Sequence, residues 1–295
     1  MRIMKRLVAT ACATLIVGMS SAWAETIQVV VWDERQEEQR QAYDDGYLGD
    51  YIAEQLAQHD DFEVQSVGID DEDMGLGDDI LDNCDVLLWW GHVRHGDVPQ
   101  EKAREIAERI QAGDFAFLAI HSSHFARPFV EAIGLIAQEQ ALADVADELD
   151  NTPRIELDGP HHVEPSWELT EEDGEQVLRI TLPNGGLGGV RADAEPSRMD
   201  TVMPEHPIAE GIPESFEISE SEMYDELFGI PEPDALIFDE HFSQGEYFRS
   251  GVLWNLGEGQ VFYFRPGHET YPKFKDEYPM RIIENATRYM GQNIR

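Results

Sequence analysis

An α/β domain built on a mostly parallel sheet is the fold class this sequence predicts, and three observations carry the prediction. Short, almost wholly apolar runs alternate with segments of helical period, the rhythm of strand–helix–strand units. The runs are continuously apolar, as expected of strands covered on both faces. Three of them also end abruptly in histidine. Val86-Leu-Leu-Trp-Trp90 runs into Gly91-His92-Val-Arg-His95, Phe115-Ala-Phe-Leu-Ala-Ile120 into His121-Ser-Ser-His124, and Phe262-Tyr-Phe264 into Arg265-Pro-Gly-His268-Glu269. In an open α/β sheet the carboxyl ends of the strands are where ligands bind, so three such arrivals point to a site at one edge.

The elements follow in order. Ile27–Trp32 reads as a buried parallel strand, and residues 46–59 as a helix with Tyr47, Tyr51, Ile52 and Leu56 near helical spacing. Phe62–Val67 alternates as a second strand, Asp79–Asn83 is a short helix end, and Val86–Trp90 is the third strand. The next helix is punctuated by Asp97 as N-cap, Pro99 in the first turn and Gly113 past its end. Phe115–Ile120 is the fourth strand, and a helix rich in Phe and Ile leads to Gly134. From about 139 to 200 the rhythm breaks into acidic clusters, prolines and the run Asn184-Gly-Gly-Leu-Gly-Gly189. Within it, Trp167–Thr170 and Val177–Leu182 flank Asp173-Gly174 as a hairpin. This stretch is expected to be an inserted, β-rich excursion. Strands resume at Ala235–Phe238, Ser250–Trp254 and Gln260–Phe264, and a helix over Tyr278–Met290 closes the domain.

Composition narrows the class further. Arg2, Lys5 and Arg6, the apolar Leu7–Met19 and the Ala22-Trp-Ala24 pattern predict a secretory signal peptide over residues 1–24 and an exported, periplasmic or secreted protein, with no membrane span after cleavage. Cleavage would take three basic and no acidic side chains, moving the net charge from −39 to −42. Such a chain repels nucleic acid and anionic membrane, and suits a hydrated surface in a salty medium. Cys84 is the only cysteine outside the leader, so no intramolecular disulfide is expected.

Histidines in the glycine-flanked 91–96 loop could coordinate Zn²⁺ or a similar divalent ion, or hydrogen-bond a polyol. The alternative for His92 and His95 is a cap or a bond to a backbone carbonyl. His121 is the first residue past its strand, on the kind of turn that nucleophile elbows use. Ser122 and Ser123 then offer backbone N–H groups to an anion or oxyanion, or simply cap the helix. Glu269 could orient His268 or serve as acid/base, the alternative being a salt bridge to Arg265.

Taken together, the chain resembles the ThuA-like family, named for trehalose utilisation, which has the class I glutamine amidotransferase-like (flavodoxin-like) fold, a three-layer sandwich. The resemblance runs through Asp82–His92, Leu118–Phe125, His206–Ile212, Glu222-Met-Tyr224, Phe248–Gly251 and Phe264–Pro272. It implies that His121 stands where amidotransferases carry a cysteine nucleophile, and that His268 is the counterpart of their catalytic histidine. Cys84 precedes the third strand and cannot replace that nucleophile, so glutaminase chemistry is excluded. Two features depart from the family. Its histidine after the first strand is replaced by Trp32-Asp-Glu-Arg-Gln-Glu37, leaving Asp33, Glu34 or Glu37 to complete a metal site, and the 139–200 excursion is additional.

The expected function is sugar utilisation, on trehalose, another disaccharide or a keto-glycoside. A divalent metal, Zn²⁺ first among the choices, would sit among His92, His95, His121 and His268. His121, His268 and Glu269 would carry the chemistry. Trp89, Trp90, Tyr224 and Tyr271 would pack on sugar C–H faces, with Ser122 and Ser123 assisting. The alternative is a non-catalytic sugar-binding or accessory protein on the same fold, and a homo-oligomer is compatible with either.

Overall fold

The computed structural model describes residues 26–294; the segment read as a signal peptide lies outside them. The first half runs β1 (Ile27–Asp33), α1 (Gln39–Ala42), α2 (Leu48–Leu56), β2 (Phe62–Gly68), α3 (Asp78–Leu81), β3 (Val86–Trp90), α4 (Gln100–Ala112), β4 (Ala116–Ile120) and α5 (Arg127–Asp144). Then come β5 (Arg154–His161), β6 (Ser166–Glu172), β7 (Glu175–Pro183), β8 (Gly189–Arg191), β9 (Ser197–Thr201), β10 (Ser215–Ile218) and β11 (Met223–Asp225). The chain ends with β12 (Ala235–His241), β13 (Tyr247–Leu256), β14 (Gly259–Phe264) and α6 (Glu277–Asn293).

Nine strands form the central sheet in the order β10-β9-β12-β13-β14-β4-β3-β1-β2. The half from β2 to β14 is parallel, and the remaining strands extend it antiparallel. One face packs on α4 and α5 through Ile106, Ile110, Phe129 and Ile133, the other on α2 and α6 through Ile52, Leu56, Ile282 and Met290. This is the three-layer, flavodoxin-like arrangement expected. Because both faces are covered, the alternating side chains of the inner strands β3 and β4 are all buried, which is why those runs show no polar positions, whereas β2 at the edge leaves Glu63 exposed.

Two expectations change at the helices. α4 starts at Gln100 with Pro99 as its capping residue, and Asp97 makes no cap; its carboxylate pairs with Arg94 instead, at 2.8 Å. Proline at that point already dispenses with one N–H that a cap would satisfy. Gly113 ends the helix in the left-handed region at φ 82°, as its position implied. α5 runs past Gly134 to Asp144, and the excursion begins after it. There β5, β7 and β6 make a separate small sheet that buries Leu178 and Ile180 against Ala141 and Val145 at the end of α5. The later part rejoins the core: β8 pairs with β11, and β9 enters the central sheet.

Asp33 ends β1 fully buried. Its carboxylate accepts N–H bonds from Arg35, Gly49 and the Gln39 side chain at 2.5–2.9 Å. Burial nevertheless outweighs these bonds and pushes its pKa from the ordinary 3.8 up to about 6. The folded state therefore holds this proton more tightly than the unfolded chain, and stability falls as pH rises between about 4 and 6. For a shift of this size the loss is on the order of 3 kcal/mol. Urea unfolding across that window should show a downward slope in the wild type that Asp33→Asn lacks; equal slopes would refute the assignment.

Candidate metal centre

Register brings the strand ends to one line. Asp33 pairs with Trp90, Trp90 with Ile120, and Ile120 with Phe264. The residues that follow each strand, Glu34, Gly91-His92, His121 and Arg265–His268, therefore emerge side by side. The rings of His92, His121 and His268 form a triangle with centroids 5.3, 5.4 and 5.5 Å apart.

Each vertex is fixed by local chemistry. Glu34 is buried, and its two oxygens accept the backbone N–H groups of Val93 and Arg94 at 2.8 and 2.9 Å. Ser123 accepts the Gly91 N–H and donates to the Trp89 carbonyl, closing the loop that presents His92. His121 occupies φ 56°, a left-handed conformation that a residue with a bulky side chain rarely adopts, held here at a strand-to-turn elbow. Its Nδ1 faces the Arg265 carbonyl at 3.2 Å, and the Tyr224 ring stacks on it at 5.5 Å. His268 accepts the Thr270 N–H on Nδ1 at 3.3 Å, which leaves its proton on Nε2, and Tyr271 stacks against it at 4.6 Å.

Two carboxylates reach into the triangle. Glu269 Oε2 lies 2.7 Å from His92 Nδ1 and 3.5 Å from His268 Nδ1; Glu222 Oε2 lies 3.3 Å from His121 Nε2. Despite these short approaches, His92 Nδ1, His121 Nε2, Glu222 Oε2 and Glu269 Oε2 are all buried and make no aligned hydrogen bond. Arg265 is not the partner of Glu269. Its guanidinium clasps the buried Glu240 at 2.5 and 2.7 Å and donates to the Glu222 carbonyl at 2.9 Å.

Protonation follows from burial and charge. Burial lowers the His121 pKa to about 4 against the pull of Glu222, so its ring is neutral at neutral pH. Burial likewise lowers His268, with Glu269 and Glu222 opposing. Burial acts downward on His92 too, but Glu269, Glu222 and Glu34 together shift it upward. Burial acts upward on both Glu269 and Glu222, yet the facing histidines prevail and both carboxyls fall below their ordinary range. Neutral imidazole and ionised carboxylate are the forms that bind a divalent metal; His121 and Glu269 favour them, while His92, raised by its carboxylate neighbours, would have to release a proton on binding. His92, His121 and Glu269 offer ligand atoms all within 4.8 Å of one another, so the donor set fits such an ion.

Several expectations from the sequence are corrected by this geometry. Trp89 and Trp90 cannot meet a sugar. Trp89 is buried against Trp32, ring on ring at 3.7 Å, and Trp90 is buried on the other face with its N–H on the Gly267 carbonyl. Tyr224 is also buried; it backs His121 and shares a hydrogen bond of 2.7 Å with Ser122, so neither faces a ligand. Ser123 is used up in the His92 loop, and neither serine caps a helix. His95 stands outside the cluster, packed near Phe125 at 6.3 Å, its pKa lowered to about 4 by burial. Asp33 and Glu34 are not free to complete a metal site, since both hold backbone N–H groups, and Glu37 is exposed. His268 lies beside the three converging donors, and Tyr271 remains partly exposed at the mouth. Glu222, in the Glu222-Met-Tyr224 stretch just before β11, is a further carboxylate at the cluster that strand-end reasoning does not find.

A flavodoxin-like, class I glutamine amidotransferase-like fold with a histidine at the elbow and no cysteine near it defines the class. The trehalose-utilisation family profile matches residues 28–290, and the chain belongs to this ThuA family. A ThuA-like protein from Bacteroides uniformis superimposes with a TM-score of 0.56 at 13% identity, covering 91% of this chain and 93% of that one. A ThuA-like protein from Parabacteroides merdae gives 0.53 at 14%, covering 90% of each chain, and a cytoplasmic protein from Salmonella typhimurium 0.51 at 12%, covering 90% and 99%. At these identities the likeness is one of fold. No curated protein matches the chain.

Arg265 and Glu240 are 1% and 0% exposed, so replacing Arg265 with Met strands a buried carboxylate. Chemical unfolding should show a loss of about 3–5 kcal/mol. Adding Glu240→Gln to that variant should recover part of it; a single variant as stable as wild type would contradict the network described.

Proposed function

We propose that this protein acts on a neutral sugar, a disaccharide or its keto derivative, through metal-assisted chemistry at the histidine cluster. The observation that carries the reading is the convergence of His92, His121 and Glu269, each with a ligand atom within 4.8 Å of the others, where His92 Nδ1, His121 Nε2 and Glu269 Oε2 are buried without hydrogen-bond partners. Membership of the trehalose-utilisation family supports the substrate class. When bound, a divalent ion such as Zn²⁺ would polarise a sugar carbonyl or hydroxyl. The protein's own groups do the rest. His268 keeps its N–H on Nε2 and would offer it as a hydrogen bond to a substrate oxygen. Tyr271, stacked on His268, offers a ring for a sugar C–H face. The elbow carries His121 in place of a nucleophile, which removes glutaminase chemistry from consideration.

An exported location is part of this proposal and rests on the leader-like residues 1–24. No described helix is long and apolar enough to cross a membrane. Metal content after mild purification, with turnover of trehalose and 3-keto-glycosides measured with and without Zn²⁺ or Mn²⁺, tests the reading. About one equivalent of metal is expected, with turnover and metal both lost in His121→Ala. A metal-free protein whose His121→Ala variant keeps full activity would sink it. Sugar binding without turnover would favour a non-catalytic accessory role.

A further inference from the structure

A second set of metal-ligating side chains stands on β9 and β12, strands that carry none of the donors described above. Register places Asp239 directly opposite Asp200, and His241 opposite Arg198. Alternation along β12 turns Asp239 and His241 to the face opposite Glu240, which is buried against Arg265. His241 Nε2 lies 3.5 Å from both Asp200 Oδ2 and Asp239 Oδ1. One donor atom from each of the three residues falls within 4.8 Å of the other two, the limit that His92, His121 and Glu269 also meet.

Like charges set directly across a strand pair repel, so this arrangement calls for cations. Arg198 supplies one to Asp200, with Nε at 3.0 and 3.2 Å from Oδ1 and Oδ2 and Nη2 at 2.8 Å from Oδ2. Asp239 has no such partner. Its Oδ1 is buried and makes no hydrogen bond, although His241 Nε2 is 3.5 Å away. Burial lifts this carboxyl above its ordinary range against the pull of His241, and Asp200 adds to the rise. The charge at Asp239 is thus undercompensated by its neighbours.

We propose that Asp200, Asp239 and His241 form a second divalent-cation site, separate from the histidine cluster and structural in role. One imidazole and two carboxylates suit Zn²⁺ or Co²⁺ better than Ca²⁺, which takes oxygen ligands. All three residues are partly exposed, so water can complete the coordination. Arg198 would orient Asp200 from outside, as hydrogen-bond partners of ligating carboxylates do. An ion here ties β9 to β12 on the reverse of the strand position from which Glu240 clasps Arg265. Nothing in this depends on whether the histidine cluster itself takes a metal.

The test uses Co²⁺ as the probe on the full-length protein freed of metal, with Asp239→Asn, His241→Gln and His121→Ala as variants. Thermal melting without metal establishes that each is folded; Asp239→Asn removes the like-charge contact and should melt no lower than wild type. Bound Co²⁺ is counted by calorimetric titration, and its effect on the melting temperature is read alongside. Wild type and His121→Ala are expected to share one class of site that Asp239→Asn and His241→Gln weaken by about tenfold or more, together with the rise in melting temperature that it produces. If His121→Ala does not fold, the loss of that class in the other two variants against wild type decides alone. Equal Co²⁺ uptake by wild type, Asp239→Asn and His241→Gln overturns the proposal, and so does a folded His121→Ala protein that binds none. A protonated His241 shared between the two carboxylates, with no ion, is the arrangement those results would establish.

Discussion

The buried pair of Arg265 and Glu240 is the interaction on which the rest of the site depends. Glu240 sits on β12 and gathers hydroxyls from Ser197 on β9, Ser221 before β11 and Ser250 on β13, in addition to the guanidinium. Arg265 is the first residue after β14, the strand where parallel and antiparallel halves of the sheet meet. Five elements are therefore tied to one charge pair. A buried ion pair contributes little net stability, because desolvation offsets its attraction, but its geometry is demanding when every oxygen and N–H is used. Here that demand is passed to the site: one Arg265 N–H holds the Glu222 carbonyl at 2.9 Å, and the Arg265 carbonyl lies 3.2 Å from His121 Nδ1.

This coupling explains how the elbow persists. His121 at positive φ costs on the order of 1–3 kcal/mol relative to an ordinary backbone. The ring is clamped by Tyr224 on one side and by Arg265 on its edge, so relaxing the backbone would break both. The excursion adds a brace from below. Gly185 approaches so closely that a Cβ there would lie 2.2 Å from the His124 carbonyl oxygen, and its own carbonyl meets His124 Nδ1 at 2.6 Å. The 139–200 excursion thus packs against the turn that carries His121.

What could be read from the sequence followed from short-range physics. Apolar runs of five or six residues gave the parallel strands, and glycine or proline beside them marked where histidines emerge. That logic found His92, His121 and His268 because each lies within four residues of the end of a strand. It misjudged Trp89 and Trp90, since aromatic rings near a site look like ligand platforms until the opposite faces of the strand are known to be covered. It could not assign Glu222 a role, because β11 has only three residues and its placement is set by Arg265, forty-three positions away in the chain. Asp33 and Glu34 were misread for a related reason. A carboxylate at a strand end can bind metal or take up backbone N–H groups, and only the folded loops show that N–H groups arrive first.

Electrostatics connects the site to the composition. The chain carries 60 acidic and 21 basic residues, so a cation in the pocket needs no special provision beyond the local ligands. The basic groups near the mouth are already engaged: Arg265 by Glu240, Arg94 by Asp70 and Asp97, Lys273 by Ser219 and Asp276. A phosphorylated sugar would enter a field set by Glu222, Glu269 and Glu34 with no guanidinium or ammonium among these free to meet it. A neutral sugar pays no such penalty and could still present oxygen lone pairs to the cation proposed for the histidine cluster. The acidity of the site and the pairing of these three cations are the electrostatic ground on which the proposed uncharged substrate and metal both rest.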